Sequence, residues 1–260
     1  MLEVTPIRAF NDNYLWLINP EGSRDCAVVD PGDVAPVLET LKAKGMTLQA
    51  IVITHHHGDH TGGIGGLREK FDCPVYGPES PNIPSITHPL GDGDEISILG
   101  QTFQVMEIPG HTLDHIAYFA AGTEKSEPLL FCGDTLFAGG CGRVFEGTPP
   151  MMHASLQKLA ALPAATRVYC AHEYTLANLA FARAVLPEDS LVSERISMEQ
   201  HRRNQDIPTV PTTIAQEKAT NPFLRCDDPM VIEAASRHSG QAAGPPEEVF
   251  GVIRRWKDEF

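Results

Sequence analysis

Lysine and arginine are scarce, 20 against 34 acidic residues, giving a net charge of −14 over 260 residues. Nucleic-acid binders show the opposite balance, because phosphate contacts need a surplus of cations. An anionic small ligand stays admissible, since a few local cations can hold one against the overall field. None of the six cysteines (Cys26, Cys73, Cys132, Cys141, Cys170 and Cys226) stands in a C-x-x-C pair. A disulfide framework is therefore not expected. They read as small apolar core residues, which points to a reducing compartment. No stretch approaches the roughly 18 unbroken apolar residues of a membrane span. The start, Met-Leu-Glu-Val-Thr-Pro, lacks the basic and apolar runs of a signal peptide. Repeats and low-complexity tracts are absent. A cytoplasmic monomer with no nucleic-acid or membrane partner is the expectation.

Hydrophobic content of 42% and charged content of 21% are those of a globular chain, so disorder is not expected. Short β-type runs fill the first two-thirds: 14–18, 26–29, 50–54, 74–76, 95–99, 103–108, 116–120, 129–132 and 167–170. Each is rich in Val, Ile or aromatic residues and bounded by Gly, Pro or Asp. Leu99-Gly100 reads as a hairpin turn. Between strands, Asp33 can cap a helix with Val37 and Leu41 on one face, and Thr148-Pro149-Pro150 opens another carrying Met152, Leu156 and Leu159. This mixture predicts an α/β fold with a mixed sheet or sandwich. Beyond His172 the pattern turns helical, over 176–186, 188–205 and 247–258. The predicted domains are 1–172 and 173–260.

The segment Thr54-His55-His56-His57-Gly58-Asp59-His60 follows an apolar strand. In extended chain, residues two apart point the same way, so His55 and His57 can share a metal while His56 points elsewhere. Gly58 is expected to allow a sharp turn that returns Asp59 and His60 to the same place. His111, Asp134 and His172 likewise each lie just beyond an apolar strand, after Pro109-Gly110, Gly133 and Ala171. Strands packed side by side would gather these ends on one rim, where open α/β sheets place their ligands. Five histidines and two aspartates exceed what one zinc needs. The expected allocation is His55, His57 and His111 on one divalent metal, and Asp59, His60 and His172 on a second, with Asp134 bridging. Asp134, Asp59 and His60 are the expected catalytic residues. Zinc suits this N/O set, and iron or manganese is admissible. His56 and His115 are expected to support the ligands from outside or to be structural. The role of Asp114 stays open. Such a pair of metals points to metal-assisted hydrolysis without a Ser or Cys nucleophile.

These motifs, with Gly110-His111-Thr112 and Gly133-Asp134-Thr135, resemble the metallo-β-lactamase superfamily. More closely, the chain resembles the glyoxalase II (hydroxyacylglutathione hydrolase) family over nearly its whole length. The residues carrying that likeness are Asp12-Asn13-Tyr14, Gly133–Phe137, Gly140–Arg143, Ala171–Thr175, Asn221–Arg225 and Arg254–Phe260. The resemblance implies an αββα sandwich followed by a helical domain, and S-lactoylglutathione as the usual substrate. It also implies that Arg143, Tyr174, Arg254 and Lys257, with Phe145 beside them, hold glutathione. Arg254 and Lys257 are three apart on a predicted helix and share a face; without the resemblance they would read as a solvated helix end. Two departures from the family pattern stand out. Phe145 replaces a frequent aromatic hydroxyl, and Arg143 a frequent lysine, which keeps the charge but changes the geometry. Rival readings on the same scaffold are a mononuclear iron persulfide dioxygenase, a lactonase or β-lactamase, and a non-catalytic metal-binding module.

Overall fold

The computed structural model describes residues 1–124, 126–242 and 244–260. These fall into two compact units: Met1–Glu107 with Asp114–Gly133, and Ile108–Leu113 with Asp134–Phe260.

In the first unit, β1 (Leu2–Ala9), β2 (Asn13–Pro20), β3 (Asp25–Val29), α1 (Val34–Lys44), β4 (Thr47–Val52), α2 (Gly58–Thr61), α3 (Ile64–Arg68), β5 (Val75–Pro78) and β6 (His88–Leu90) come first. The six strands form one sheet in chain order. β1, β2 and β3 pair antiparallel, and β3 to β6 pair parallel. The mixed sheet expected from the strand and helix pattern is present. Next come β7 (Glu95–Ile98), β8 (Gln101–Glu107), β9 (Ile116–Ala120) and β10 (Leu129–Gly133), paired antiparallel in the order β10-β9-β8-β7. The β7–β8 hairpin turns at Leu99 and Gly100, both with positive φ, as a primed turn requires.

β2 shows why two layers form. Leu15 and Leu17 point to the core cluster shared with Val37 and Leu41 of α1 and Ile64 and Leu67 of α3. Tyr14 and Trp16, on the opposite face, are just as buried, with ring centroids 5.5 Å apart. A strand apolar on both faces must be covered on both. Each fully buried side chain of this size contributes about 1.5–3 kcal/mol. The Tyr118 hydroxyl of β9 donates to Ile53 O just beyond β4 at 2.7 Å, and Ile116 N donates to Thr54 O at 2.9 Å. The metallo-β-lactamase αββα architecture is thus anchored where the histidine segment begins.

The second unit contains β11 (Leu136–Phe137), β12 (Gly140–Cys141), α4 (Pro149–Ala160), β13 (Arg167–Cys170), α5 (Thr175–Val185), α6 (Ser190–Asn204), β14 (Thr212–Thr213), α7 (Ile214–Thr220), a 3-10 turn at Pro222–Leu224, α8 (Pro229–Ser239) and α9 (Pro246–Glu259). Thr148, Asp189, Thr213 and Asp228 cap α4, α6, α7 and α8 through their side-chain oxygens. α8 was not anticipated, although Asp228-Pro229 is the signature of a helix start. All six cysteines are free and buried. Among the described residues, no helix is long and apolar enough to cross a membrane.

Candidate metal centre

In the first unit the site grows from the end of β4. Asp30, directly after β3, is 3% exposed and anchors the segment. Its Oδ1 accepts from Thr54 N and its Oδ2 from Thr54 Oγ1, each at 2.8 Å. Because the Thr54 hydroxyl gives its proton to Asp30, its oxygen, 3.0 Å from His55 Nδ1, accepts there. That makes Nδ1 the protonated nitrogen of His55 and leaves a lone pair on Nε2, which faces His57 Nδ1 at 3.1 Å. His55 and His57 are therefore brought together, as the extended-chain argument expects. His56 turns away and pairs with both oxygens of Asp114 at 3.0 and 2.9 Å, which resolves the open role of Asp114. His115 is fully buried and stacks on His55, ring centroids 4.5 Å apart.

The expectation for Gly58 needs correcting. It opens α2 without a positive φ, and a Cβ there would meet nothing within 4 Å. One turn of helix, not a glycine-only conformation, returns Asp59 and His60 toward the loop. The glycine the site does require is Gly32, where a Cβ would lie 1.8 Å from Asp59 O. His60 directs Nδ1 at Asp30 Oδ2, 3.1 Å away, and Nε2 at Asp59 Oδ2, 3.5 Å away. Asn13 Nδ2 donates to the same Asp59 oxygen at 2.9 Å. Asp30 was missed by sequence reasoning, and Asn13 was noted without a role. Asp30 carries the signal of the other ligand positions, since it follows the apolar pair Val28-Val29 and precedes Pro31-Gly32.

In the second unit His111, Asp134 and His172 are 4, 6 and 4% exposed. Asp134 Oδ2 lies 3.5 Å from His111 Nε2 and 3.3 Å from His172 Nε2. His111 Nδ1 donates to Arg143 O at 2.8 Å, so its Nε2 also carries a lone pair. Two imidazole nitrogens converging on one carboxylate oxygen make a divalent-cation donor set. Gly142 is forced by close approach, because a Cβ there would fall 1.9 Å from Asp134 O and 3.1 Å from His111 Nδ1.

The expected substrate residues also lie in this unit. Tyr174 stacks on His172 with centroids 4.7 Å apart and planes 3° from parallel. Phe145 is 61% exposed, with its ring 5.2 Å from that of His111. The Arg143 side chain is exposed and lies 3.7 Å from Asp258 Oδ1. Arg254 is buried at 4% exposure, so the solvated-face alternative fails for it. Its Nη1 donates to Cys141 O at 3.0 Å and Gly142 O at 3.4 Å, and its Nη2 to Asp258 Oδ1 at 3.1 Å. Lys257 Nζ donates to Ala177 O at 3.4 Å. Burial, then the neighbouring Arg254 charge, holds the Lys257 ammonium below the usual lysine range.

Residues 10–172 match the metallo-β-lactamase superfamily, and residues 173–260 match the hydroxyacylglutathione hydrolase C-terminus. The chain is 53% identical to hydroxyacylglutathione hydrolase of Ectopseudomonas mendocina (strain ymp) over 261 residues, covering 100% of both. It is 51% identical to that of Pseudomonas paraeruginosa (strain DSM 24068 / PA7), again over 100% of both. Among solved structures, ETHE1 from Myxococcus xanthus is 25% identical with a TM-score of 0.67, over 98% of this chain and 91% of that one. TTHA1623 in a di-iron-bound form is 27% identical with a TM-score of 0.60, over 85% of this chain and 100% of that one. With a His and Asp donor set for divalent metals and matches spanning both halves, the chain belongs to the hydroxyacylglutathione hydrolase family of the metallo-β-lactamase superfamily.

Proposed function

We propose that the chain hydrolyses the thioester of an S-(2-hydroxyacyl)glutathione, with S-lactoylglutathione as the usual substrate, to glutathione and a 2-hydroxy acid. The observation that carries this reading is the full-length identity of about half to proteins named for that reaction, helical region included. We further infer two divalent cations, one held by His55, His57, His111 and Asp134, the other by Asp59, His60 and His172, with Asp134 shared. In support, within one unit His111 and His172 converge on Asp134, and within the other His55 faces His57 and His60 faces Asp59. Zinc suits the all-N/O donors, and iron is supported by the di-iron relative.

When bound, such a pair supplies an acidified water and a Lewis acid for the carbonyl. The chain's own residues prepare that chemistry. The Thr54 hydroxyl and Arg143 O fix the ring tautomers of His55 and His111, and the Asp30 carboxylate lies against His60 Nδ1. Asn13 orients Asp59. No proton donor to the leaving sulfur is required, because a thiol pKa near 8.5 makes thiolate a ready leaving group. The exposed Arg143 and the half-buried Lys257 suit the carboxylates of glutathione, with Tyr174 and Phe145 as apolar walls and Arg254 as a buried charge.

This reading divides the chain into a catalytic domain, 1–172, and a glutathione-binding domain, 173–260, in line with the two family matches. It further takes the enzyme as a cytoplasmic monomer with no nucleic-acid or membrane partner, supported by the net charge of −14 and six free cysteines. The dioxygenase and ring-opening alternatives are not favoured by relatives of about half identity named as thioester hydrolases. The test follows thiol release and dissolved oxygen together on metal-replete protein with S-lactoylglutathione. Thiol release without oxygen uptake is expected. Oxygen uptake when glutathione persulfide replaces the thioester would favour the dioxygenase, and absence of thiol release from the thioester would overturn the proposal.

A further inference from the structure

We propose that the buried Arg195–Glu217–Asn221 cluster is a positioning device that sets the geometry of His111, Asp134 and His172 through the hairpin β11–β12. The inference rests on the reading of those three residues as metal ligands.

Three peptide groups of the buried hairpin tip are gripped by side chains of the helical region. Glu217 Oε2 accepts from Gly139 N at 2.8 Å. Asn221 Nδ2 donates to Gly140 O at 2.8 Å and lies 3.0 Å from the same Glu217 oxygen. Asn178 Nδ2 donates to Ala138 O at 3.1 Å. Behind them, Arg195 Nη2 donates to Glu217 Oε1 at 2.6 Å, and Thr212 Oγ1 donates to it at 2.7 Å. The Arg195 and Glu217 side chains are 2 and 0% exposed. A buried ion pair of this kind is a weak source of stability, since well-packed apolar residues often do as well; what it supplies is a fixed register.

The grip reaches the ligands by short paths. Leu136 pairs with Cys141 and Phe137 with Gly140. Phe137 packs T-shaped against both His172 and Tyr174, with centroids 5.8 and 5.4 Å away and planes at 89° to both. On the other strand, Gly142 abuts Asp134 O with no room for a Cβ, and the next carbonyl, of Arg143, accepts from His111 Nδ1. A shift of the tip therefore moves both histidines relative to Asp134. Arg195, Glu217 and Asn221 are buried from solvent and act through the hairpin, so these are positioning residues.

The test uses full-length Glu217→Gln, with Val231→Ala as a control. Val231 is fully buried in α8, and its side chain makes none of the hydrogen bonds that hold the hairpin. Zinc affinity is measured by competition with a chromogenic chelator, well below each melting temperature. In Glu217→Gln a single amide oxygen must serve both Arg195 and Gly139 N–H. Zinc affinity should fall roughly 10–100-fold, the usual effect of losing a ligand-orienting partner. The control should bind as the parent does despite its own loss of stability. Adding Arg195→Met removes the competing donor and should restore part of the affinity. If Glu217→Gln fails to fold, Asn178→Ser releases only Ala138 O and should still weaken binding severalfold. Parent-like zinc affinity, within twofold, in the folded variants would overturn the inference while leaving the thioesterase reading intact. A parent protein that binds no zinc would remove the ground for both.

Discussion

His60 Nδ1 lies 3.1 Å from Asp30 Oδ2, with both side chains almost wholly buried. The same carboxylate accepts from the backbone and hydroxyl of Thr54. One aspartate thus orients His60 and, through Thr54, His55. Asp30 sits at φ 51°, which asparagine tolerates, so Asp30→Asn should fold. It should lower metal affinity by roughly 10–100-fold, measured by chelator competition. Unchanged affinity would show that the orientation of these rings does not matter.

Arg254 and Lys257 should separate by experiment although they share a helix. Lys257→Ala removes a half-buried cation and Arg143→Ala an exposed one. Each should raise KM for glutathione thioesters roughly tenfold, about 1.4 kcal/mol, with little change in thermal stability. Arg254→Ala strips donors from the buried carbonyls of Cys141 and Gly142 and should cost stability as well, about 1–3 kcal/mol by denaturant titration. Because the Lys257 pKa is lowered, KM should begin to climb with pH before the ordinary lysine value of 10.5 is reached. A KM indifferent to all three changes would return these residues to a purely structural role.

The cysteines should be inert in the folded protein. Burial pushes the Cys26 and Cys170 thiols up to about 12, and raises those of Cys73, Cys141 and Cys226. A disulfide reagent at pH 8 should titrate none quickly under native conditions and all six after denaturation. Rapid reaction of one thiol in native protein would contradict the core assignment.

Arg225 ties two helix starts together. Its guanidinium reaches Asp189, the cap of α6, at 2.7 Å and Asp228, the cap of α8, at 2.6 Å. Burial alone would raise the Asp189 carboxyl. The bonds from Arg225 and the Val192 and Leu191 amides outweigh it, so the pKa lies below 3.8. A depressed carboxyl stabilises fully above its unfolded pKa and loses that contribution as pH falls through the folded one. Arg225→Gln should therefore destabilise by about 1–3 kcal/mol at pH 7, with a smaller deficit near pH 3, in urea titrations at both pH values. An equal deficit at both pH values would rule out the ionic origin.

The ligand positions were legible because the donors at 55–60, 111, 134 and 172 all lie just beyond an apolar strand, His111 and Asp134 directly after a glycine. Asp30 also lies just beyond an apolar strand, but an aspartate before Pro31-Gly32 reads equally as a turn residue. Other features depend on distant partners. Arg254 and Lys257 look equivalent in sequence, yet the carbonyls that bury Arg254 belong to residues more than a hundred positions earlier. Glu217 on α7 reads as a solvated charge, and only the Arg195 pairing reveals it as core. β11, β12 and β14 have two residues each, too few for any periodicity. β1 was obscured by Pro6, which marks an edge strand, the place β1 holds in its sheet.

The central claim is that two cations sit on either side of Asp134. Anomalous diffraction at the zinc edge, from crystals of protein loaded with two equivalents of zinc, tests it directly. Two peaks about 3.5–4 Å apart are expected, each within about 2.0–2.2 Å of an Asp134 carboxylate oxygen. A single peak, or peaks remote from Asp134, would contradict it.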